Sequence, residues 1–184
     1  LRAAVASTAG EALSYEGELI EALFHSASGG RTEAAADVFG GDAPYLQSVS
    51  SPGEENAAHY RDSVTLTRKA FVNAVNKAFP KAKLKAASLE ENVEILERSE
   101  GGRVTQIRLG KTTATGRKLR AALDLKSTAF TLTVTESGVR IDTRGYGHGV
   151  GMSQYGANAM AERGADYREI LTHYYTGVEL KPLY

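Results

Sequence analysis

Arg144-Gly-Tyr-Gly-His-Gly-Val-Gly-Met-Ser-Gln-Tyr-Gly156 is the one stretch that ordinary folding material does not explain. It holds five of the chain's 19 glycines, and four of them, Gly145, Gly147, Gly149 and Gly151, alternate. Drawn out as a strand, the segment would put Tyr146, His148, Val150 and Met152 on one face and no side chain on the other. Each glycine weakens a strand and adds ordering entropy, so such a run marks tight backbone geometry or the close approach of a ligand or second chain. Two nucleotide motifs fail here. The dinucleotide fingerprint needs a third glycine where Val150, Met152 or Gln154 stand, and a phosphate loop would need lysine and a hydroxyl residue at Ala157 and Asn158.

The flanks place this stretch at a strand end and before a helix, where scaffolds commonly display functional groups. On one side, Phe130 to Thr135 and Val139 to Asp142 read as a hairpin across Glu136-Ser137-Gly138, and its second strand runs into Arg144. On the other, Ser153 is an N-cap for a helix closed by Gly164 in the C′ role. Asp166 and Glu169 make a capping box for a last helix through Tyr175, with Ile170, Leu171 and Tyr174 toward the core. Val178 to Leu180 reads as a short edge strand.

The 184 residues suffice for one domain with a real core. The formal charge is zero, from 22 basic and 22 acidic side chains, so no global field recruits nucleic acid or an anionic membrane. No apolar run approaches the length of a membrane span, and no signal-peptide pattern is present. Cysteine is absent, which removes disulfides, thiolate nucleophiles and Cys-based zinc sites. His25, His59, His148 and His173 show no HExxH or HxxxH spacing, so a metal site would need assembly from distant parts, and none is expected.

Toward the amino end, Val5 to Thr8, Ala12 to Tyr15 and Leu19 to His25 read as strands of a meander. Residue 1 is leucine, so upstream sequence is expected. The meander leads into His25-Ser-Ala-Ser-Gly-Gly-Arg-Thr-Glu33, where small hydroxyl residues beside a glycine pair, with Thr32 and Glu33 as a helix start, would expose N–H groups and hydroxyls to a polar ligand. The same residues also suit a plain turn with an N-cap. A serine nucleophile is disfavoured, because His25 and Ser26 point to opposite faces and no G-x-S-x-G elbow exists. From Phe39 to His59 the pattern is that of a long loop, in which Tyr45 could stack on a sugar or anchor the loop.

Residues Ser63 to Leu125 read as a lobe of their own. Val64 to Thr67 is a strand, and Lys69 to Phe79 is a helix stopped by Pro80. Val93 to Arg98 and Arg103 to Leu109 form a hairpin around Glu100-Gly101-Gly102, and Arg117 to Leu125 is a helix burying Leu119, Ala122 and Leu123. Lys81, Lys83 and Lys85, with Arg117, Lys118 and Arg120, are a solvated surface or a face for an anionic partner. These elements predict an α+β fold: mixed, mainly antiparallel sheets with a few short helices, and a central lobe inserted between two glycine-rich loop regions. The whole of 1–184 is expected to be a single domain with a subdomain at 63–125.

Several motifs in order carry a family resemblance. The glycine stretch followed by Met160-Ala161, Gly164, Tyr167, Ile170-Leu171, His173-Tyr-Tyr175 and Gly177 resembles the carboxy-terminal signature of the stage II sporulation protein D and amidase-enhancer family. Phe24 to Glu33, Pro44-Tyr45-Leu46, Val49 with Ser51-Pro52-Gly53, and Leu123 to Phe130 match in family order, so the likeness covers nearly the whole chain. It implies a bacterial cell-wall protein acting outside the cytoplasm on peptidoglycan glycan strands, similar to a lytic transglycosylase of strands stripped of stem peptides. The alternative it implies is an amidase enhancer or peptidoglycan-binding module whose partner is a cell-wall amidase or membrane-anchored wall machinery.

Lytic transglycosylation of that kind uses no metal or cofactor. One carboxylic acid protonates the glycosidic oxygen and then, as carboxylate, takes the sugar's 6-hydroxyl proton as the ring closes. The resemblance places that glutamate in a Glu-Met segment upstream of the matched part, and no Glu-Met pair occurs here. The acid is therefore expected outside this chain, leaving His148 and Glu33 as the catalytic candidates within it. Glu33, read as a helix-start carboxylate, would have a lowered pKa, the wrong direction for an acid. For substrate binding, Tyr146, His148, Ser153 and Gln154 would form one wall of a groove, and Ser26, Ser28, Thr32 and Tyr45 the other. His148 could equally be a packed histidine bonded to a carbonyl.

Overall fold

The computed structural model describes residues 2–41 and 43–183. Short helices alternate with short, mainly antiparallel strands, an α+β architecture built around two large hydrophobic clusters and a small third one of Ala27, Ala57 and Tyr60. The first cluster draws its buried residues from Phe71 through Ile141. The second draws on Ala35 and Leu46 from before that span and on Val150, Ile170, Tyr174, Tyr175 and Val178 from after it. The chain thus leaves one body, builds a lobe, and returns at the glycine stretch.

In the returning body, β1 (Glu11–Tyr15) lies between β2 (Glu18–Leu19) and the carboxy-terminal β11 (Glu179–Pro182), both antiparallel. A second, parallel pair joins β3 (Phe24–His25) to β10 (Met152–Ser153). Ser153 accepts from the Gly156 N–H at the start of α6 (Gln154–Glu162), and Asp166 and Glu169 form a reciprocal capping box on α7 (Tyr167–Tyr174). Helix α7 buries Ile170 and Tyr174 against Leu46 and Val150.

The lobe has two three-stranded sheets. In one, β9 (Gly138–Arg144) is central between β4 (Arg61–Thr67) and β8 (Phe130–Val134). Period-two alternation turns Val64, Leu66, Val139, Ile141, Phe130 and Leu132 to the core, and Arg61, Ser63, Arg140, Asp142 and Thr131 outward. The other sheet pairs β5 (Val93–Arg98), β6 (Val104–Leu109) and β7 (Thr112–Thr115). Two helices close the core: α3 (Arg68–Ala78), capped by Thr67 and burying Phe71 and Val75, and α5 (Gly116–Ala122), capped by Thr115 and burying Leu119. Each such fully buried side chain contributes about 1.5–3 kcal/mol of transfer free energy. Two four-residue helices, α2 (Ala35–Val38) and α4 (Leu89–Asn92), complete the set with α1 (Arg2–Ser7).

Several expectations need correction. Val5 to Thr8 is not a strand: Arg2–Ser7 is helical, in keeping with three alanines in six residues. Leu19 to His25 is not one strand, because a tight turn bonding the Leu23 N–H to the Glu21 carbonyl separates β2 from β3. Strand β7 was not expected. Helix α5 stops at Ala122, since Asp124 takes a left-handed φ of 52°. No helix starts at Thr32 or Glu33; these residues are extended, and α2 begins at Ala35 with no side-chain cap.

The glycine stretch is the largest correction. Gly145, Gly147, Gly149 and Gly151 all have left-handed φ, between 72° and 113°, so the segment is no pleated strand and its odd residues share no bare face. Val150 is buried while Tyr146 is exposed. At Gly151 a Cβ would lie 2.0 Å from the Leu23 carbonyl oxygen, which accepts the hydrogen bond that seats β10 on β3. Gly17, also left-handed, has open space around it. Gly17→Ala should therefore cost about 1 kcal/mol of left-handed strain, whereas Gly151→Ala should cost about 3 kcal/mol or more. Denaturant unfolding of the two variants checks the difference; equal losses would contradict the packing described.

Candidate functional site

The two glycine-bearing stretches lie against each other over most of their length. The β3–β10 pair is extended by a two-way bridge between Ala27 and Tyr146, with N–H to O distances of 2.7 and 3.1 Å, and by a bridge between Glu33 and Val150. The Glu33 N–H reaches the Gly149 carbonyl at 2.8 Å, and the Tyr155 N–H reaches Ser26 at 3.1 Å. This backbone ladder makes one continuous wall of residues 24–33 and 145–155.

Two buried charges hold the wall in place. Arg103, on the turn before β6, donates to the Ser28 carbonyl at 2.7 Å and to the Gly147 carbonyl at 3.1 Å, so one guanidinium from the lobe bonds both stretches. It also reaches Ser127 Oγ at 3.1 Å. A Cβ on Gly149 would lie 2.5 Å from that guanidinium, which explains the glycine. Burial lowers the Arg103 pKa to about 10, against the raising pull of Glu33, and the group remains a cation at neutral pH.

The second charge is Glu54, 1% exposed, in the loop of the returning body. Its carboxylate accepts from Ser28 Oγ at 2.9 Å, the Gly29 N–H at 2.9 Å and Ser51 Oγ at 2.5 Å, and Ser51 is bonded in turn to the Tyr174 hydroxyl. The Ser28-Gly29-Gly30 turn thus wraps a carboxylate supplied by the chain itself.

His25 and His148 grip the backbone of one residue, Val150. His25 Nδ1 lies 3.1 Å from the Val150 carbonyl, and the Val150 N–H donates to His148 Nδ1 at 3.1 Å, with the ring centroids 5.5 Å apart. His148 Nδ1 is therefore unprotonated in this arrangement. Burial lowers both pKa values. For His25 it does so first, and the Arg103 charge adds to it against the Val150 hydrogen bond, taking the pKa down to about 3.

Glu33 is 1% exposed, and its Oε1 has no hydrogen-bond partner. Burial pushes its carboxyl up, with Ser99 and the Arg103 charge pulling the other way. The expected helix-dipole lowering is overturned because there is no helix at this position. Arg103 Nε stands 3.9 Å away, too far for a hydrogen bond.

The remaining candidates divide by exposure. Ser28, Thr32 and Ser153 are buried, with hydroxyls engaged by Glu54, by the 47–49 backbone and by the α6 cap. Tyr45 accepts from the Glu21 N–H and packs on Tyr15, so it anchors its loop. Ser26 is half-buried, and Tyr146 and Gln154 are exposed. Around them lie groups that sequence reasoning missed. Phe39, 45% exposed, packs on His148 at 5.6 Å with Arg117 above its ring, and Tyr146 carries Lys126 over its face and His59 at its edge. The surface is aromatic and cationic, with amide and hydroxyl groups beside it. Among the described residues no group of three or more potential ligands could hold a metal ion.

A family model described as a domain of unknown function (DUF8618) matches residues 39–151, more than half of the chain. Stage II sporulation protein D of Bacillus amyloliquefaciens is 37% identical over 177 residues, 96% of this chain and 49% of that protein. Its counterpart in Bacillus subtilis (strain 168) is also 37% identical, with 50% of that protein covered. The amidase enhancer of Bacillus subtilis is 29% identical over 224 residues, 96% of this chain and 32% of that protein. The chain belongs to the stage II sporulation protein D and amidase-enhancer family. It spans about half the length of the two sporulation relatives.

The buried histidine of this family member gives a test with a definite sign. His25 has a folded pKa below its unfolded value, so between pH 6.5 and 3 the unfolded chain binds the extra proton and stability falls as pH falls. Its share should be about 2 kcal/mol lost between pH 8 and pH 5. His25→Asn, whose amide can replace Nδ1, should flatten the pH profile of unfolding free energy by that amount. An unchanged slope in the variant would show that His25 is not buried neutral.

Proposed function

We propose that this chain is the glycan-binding part of a cell-wall enzyme that acts outside the cytoplasm. In this reading the wall of residues 24–33 and 145–155 carries a peptidoglycan glycan strand, and the proton that breaks the glycosidic bond comes from a glutamate outside residues 1–184. The observation that carries the reading is the exposed pair of platforms, Phe39 with His148 and Tyr146 with Lys126, on a wall held rigid by buried charges. Aromatic faces flanked by polar groups suit a sugar, which has apolar ring faces and a hydroxyl rim. The kinship with proteins named for sporulation and for amidase enhancement supports a cell-wall setting. No helix among the described residues is long and apolar enough to cross a membrane.

The chain's own groups would bind and orient rather than transfer the proton. His148 Nδ1 is occupied by the Val150 N–H, and Glu33 is closed off from the surface. Pre-ordered donors and ring faces can hold the strand for an acid positioned beside them. A lytic transglycosylase then leaves a 1,6-anhydro end, because the sugar's own hydroxyl takes the place of water.

Binding of peptide-free glycan strands to the chain should weaken about tenfold in Tyr146→Ala, the scale of about 1.4 kcal/mol for a stacked ring, with the unfolding free energy lowered by about 1 kcal/mol or less for the lost contacts with Lys126 and His59. A longer protein containing the upstream segment should release products with 1,6-anhydro ends by mass spectrometry. Reducing ends alone would remove the transglycosylase chemistry, and unaltered binding by Tyr146→Ala together with Phe39→Ala would remove this wall from the interface. Capture of a cell-wall amidase without glycan binding would favour the enhancer reading.

A further inference from the structure

The outer face of the β4–β9–β8 sheet ends in a cavity of about 690 Å³, where β9 passes into the glycine stretch. Its charged lining is four arginines, Arg61, Arg98, Arg140 and Arg144, against two aspartates, Asp62 and Asp142. Two of the arginines are already engaged. Arg98 donates to the Gly102 and Phe130 carbonyls at 2.8 and 2.9 Å, and Arg140 holds Asp142 through three contacts of 2.8–3.0 Å.

Arg61 and Arg144 are different. They stand directly opposite each other in the β4–β9 register, both exposed, and among the described residues neither side chain makes a hydrogen bond or ion pair. Like charges facing across a strand pair are destabilising. A chain of zero net charge nevertheless concentrates two free guanidinium groups here. The place adjoins the proposed glycan wall: Gly29 and Ser28 line the same cavity, a Cβ on Gly29 would lie 3.3 Å from Arg144, and Tyr146 follows two residues on.

We propose that Arg61 and Arg144 form a subsite for a carboxylate carried by the bound glycan strand, an inference that rests on the glycan reading above. The guanidinium fork matches a carboxylate in two-point geometry. A muramic acid residue without peptide presents such a group on its lactyl ether. The nearby carboxylates favour a singly charged ligand over a dianionic phosphate, because Asp142 is held ionised by Arg140 in the same cavity. The subsite therefore selects strands whose muramic carboxyls are free, since a peptide bond removes that charge.

The test measures affinity of the chain for peptide-free glycan strands and for the same strands with carboxyls reduced to alcohols. Wild-type chain should bind the free acid about tenfold more tightly, and the gap should narrow with added salt. Arg61→Gln and Arg144→Gln should each remove most of the gap while leaving affinity for the reduced strand unchanged. Their thermal midpoints should hold or rise, because the facing charges are relieved. Equal wild-type binding to both strands would overturn the carboxylate subsite and leave the glycan reading standing. Binding to neither would remove the glycan reading itself. Variants that weaken both strands alike would make the arginines structural, and stronger competition by inorganic phosphate than by the free-acid strand would assign the pair to phosphate; either outcome overturns the proposal.

Discussion

The arrangement depends on Arg103. Its guanidinium, almost completely buried, bonds the carbonyls of Ser28 and Gly147 and so ties the lobe to both glycine-bearing stretches at once. Burying a cation without partners is prohibitive, so the surrounding backbone must turn its carbonyls inward. That requirement accounts for the left-handed glycine at 149, where a Cβ would meet the guanidinium; at 147 a Cβ would meet His25 instead. Glu54 does the complementary work from the other body, drawing the Ser28 hydroxyl and the Gly29 N–H around a carboxylate. A cation orders the carbonyls of the wall and an anion orders its donors.

The central lobe then has a mechanical reading. It owns a separate hydrophobic cluster, and its β5–β6 turn presents Arg103 while β9 delivers the glycine stretch. Rigid strands on both sides fix where the irregular segment begins and ends, and that is how a segment with five glycines can be ordered at all. The histidines finish the job by holding Val150 through its N–H and its carbonyl, so their low pKa values follow from packing rather than from proton transfer.

Much of the fold was legible because it obeys local rules. The capping box of Asp166 and Glu169, the Ser153 cap, both hairpins of the lobe and the stop of α3 before Pro80 need only neighbours in sequence. Elements of a few residues failed: Arg2–Ser7 is too short for periodicity to separate helix from strand, and Thr32–Glu33 are held extended by partners more than fifteen residues away. In the glycine stretch the alternation was visible but its meaning was not, since alternate glycines suit a pleat or a chain of left-handed turns equally well until Leu23 and Arg103 are in place. The site was legible as two stretches and illegible as charges. Glu54 and Arg103 sit in ordinary loop sequence, although a Ser28-Gly29-Gly30 turn full of free donors did call for an acceptor.

If residues 24–33 and 145–155 act as one surface toward a glycan, a bound sugar must be felt in both stretches. Amide chemical shifts of the isotopically labelled chain, followed as an N-acetylglucosamine oligosaccharide is added, test it most directly. Perturbations are expected in both stretches with one shared affinity, centred on Ser26, Tyr146 and Tyr155, with the buried lobe core around Phe71 and Ile107 silent. Shifts confined to one stretch, or lying in the lobe away from Arg103, would contradict it.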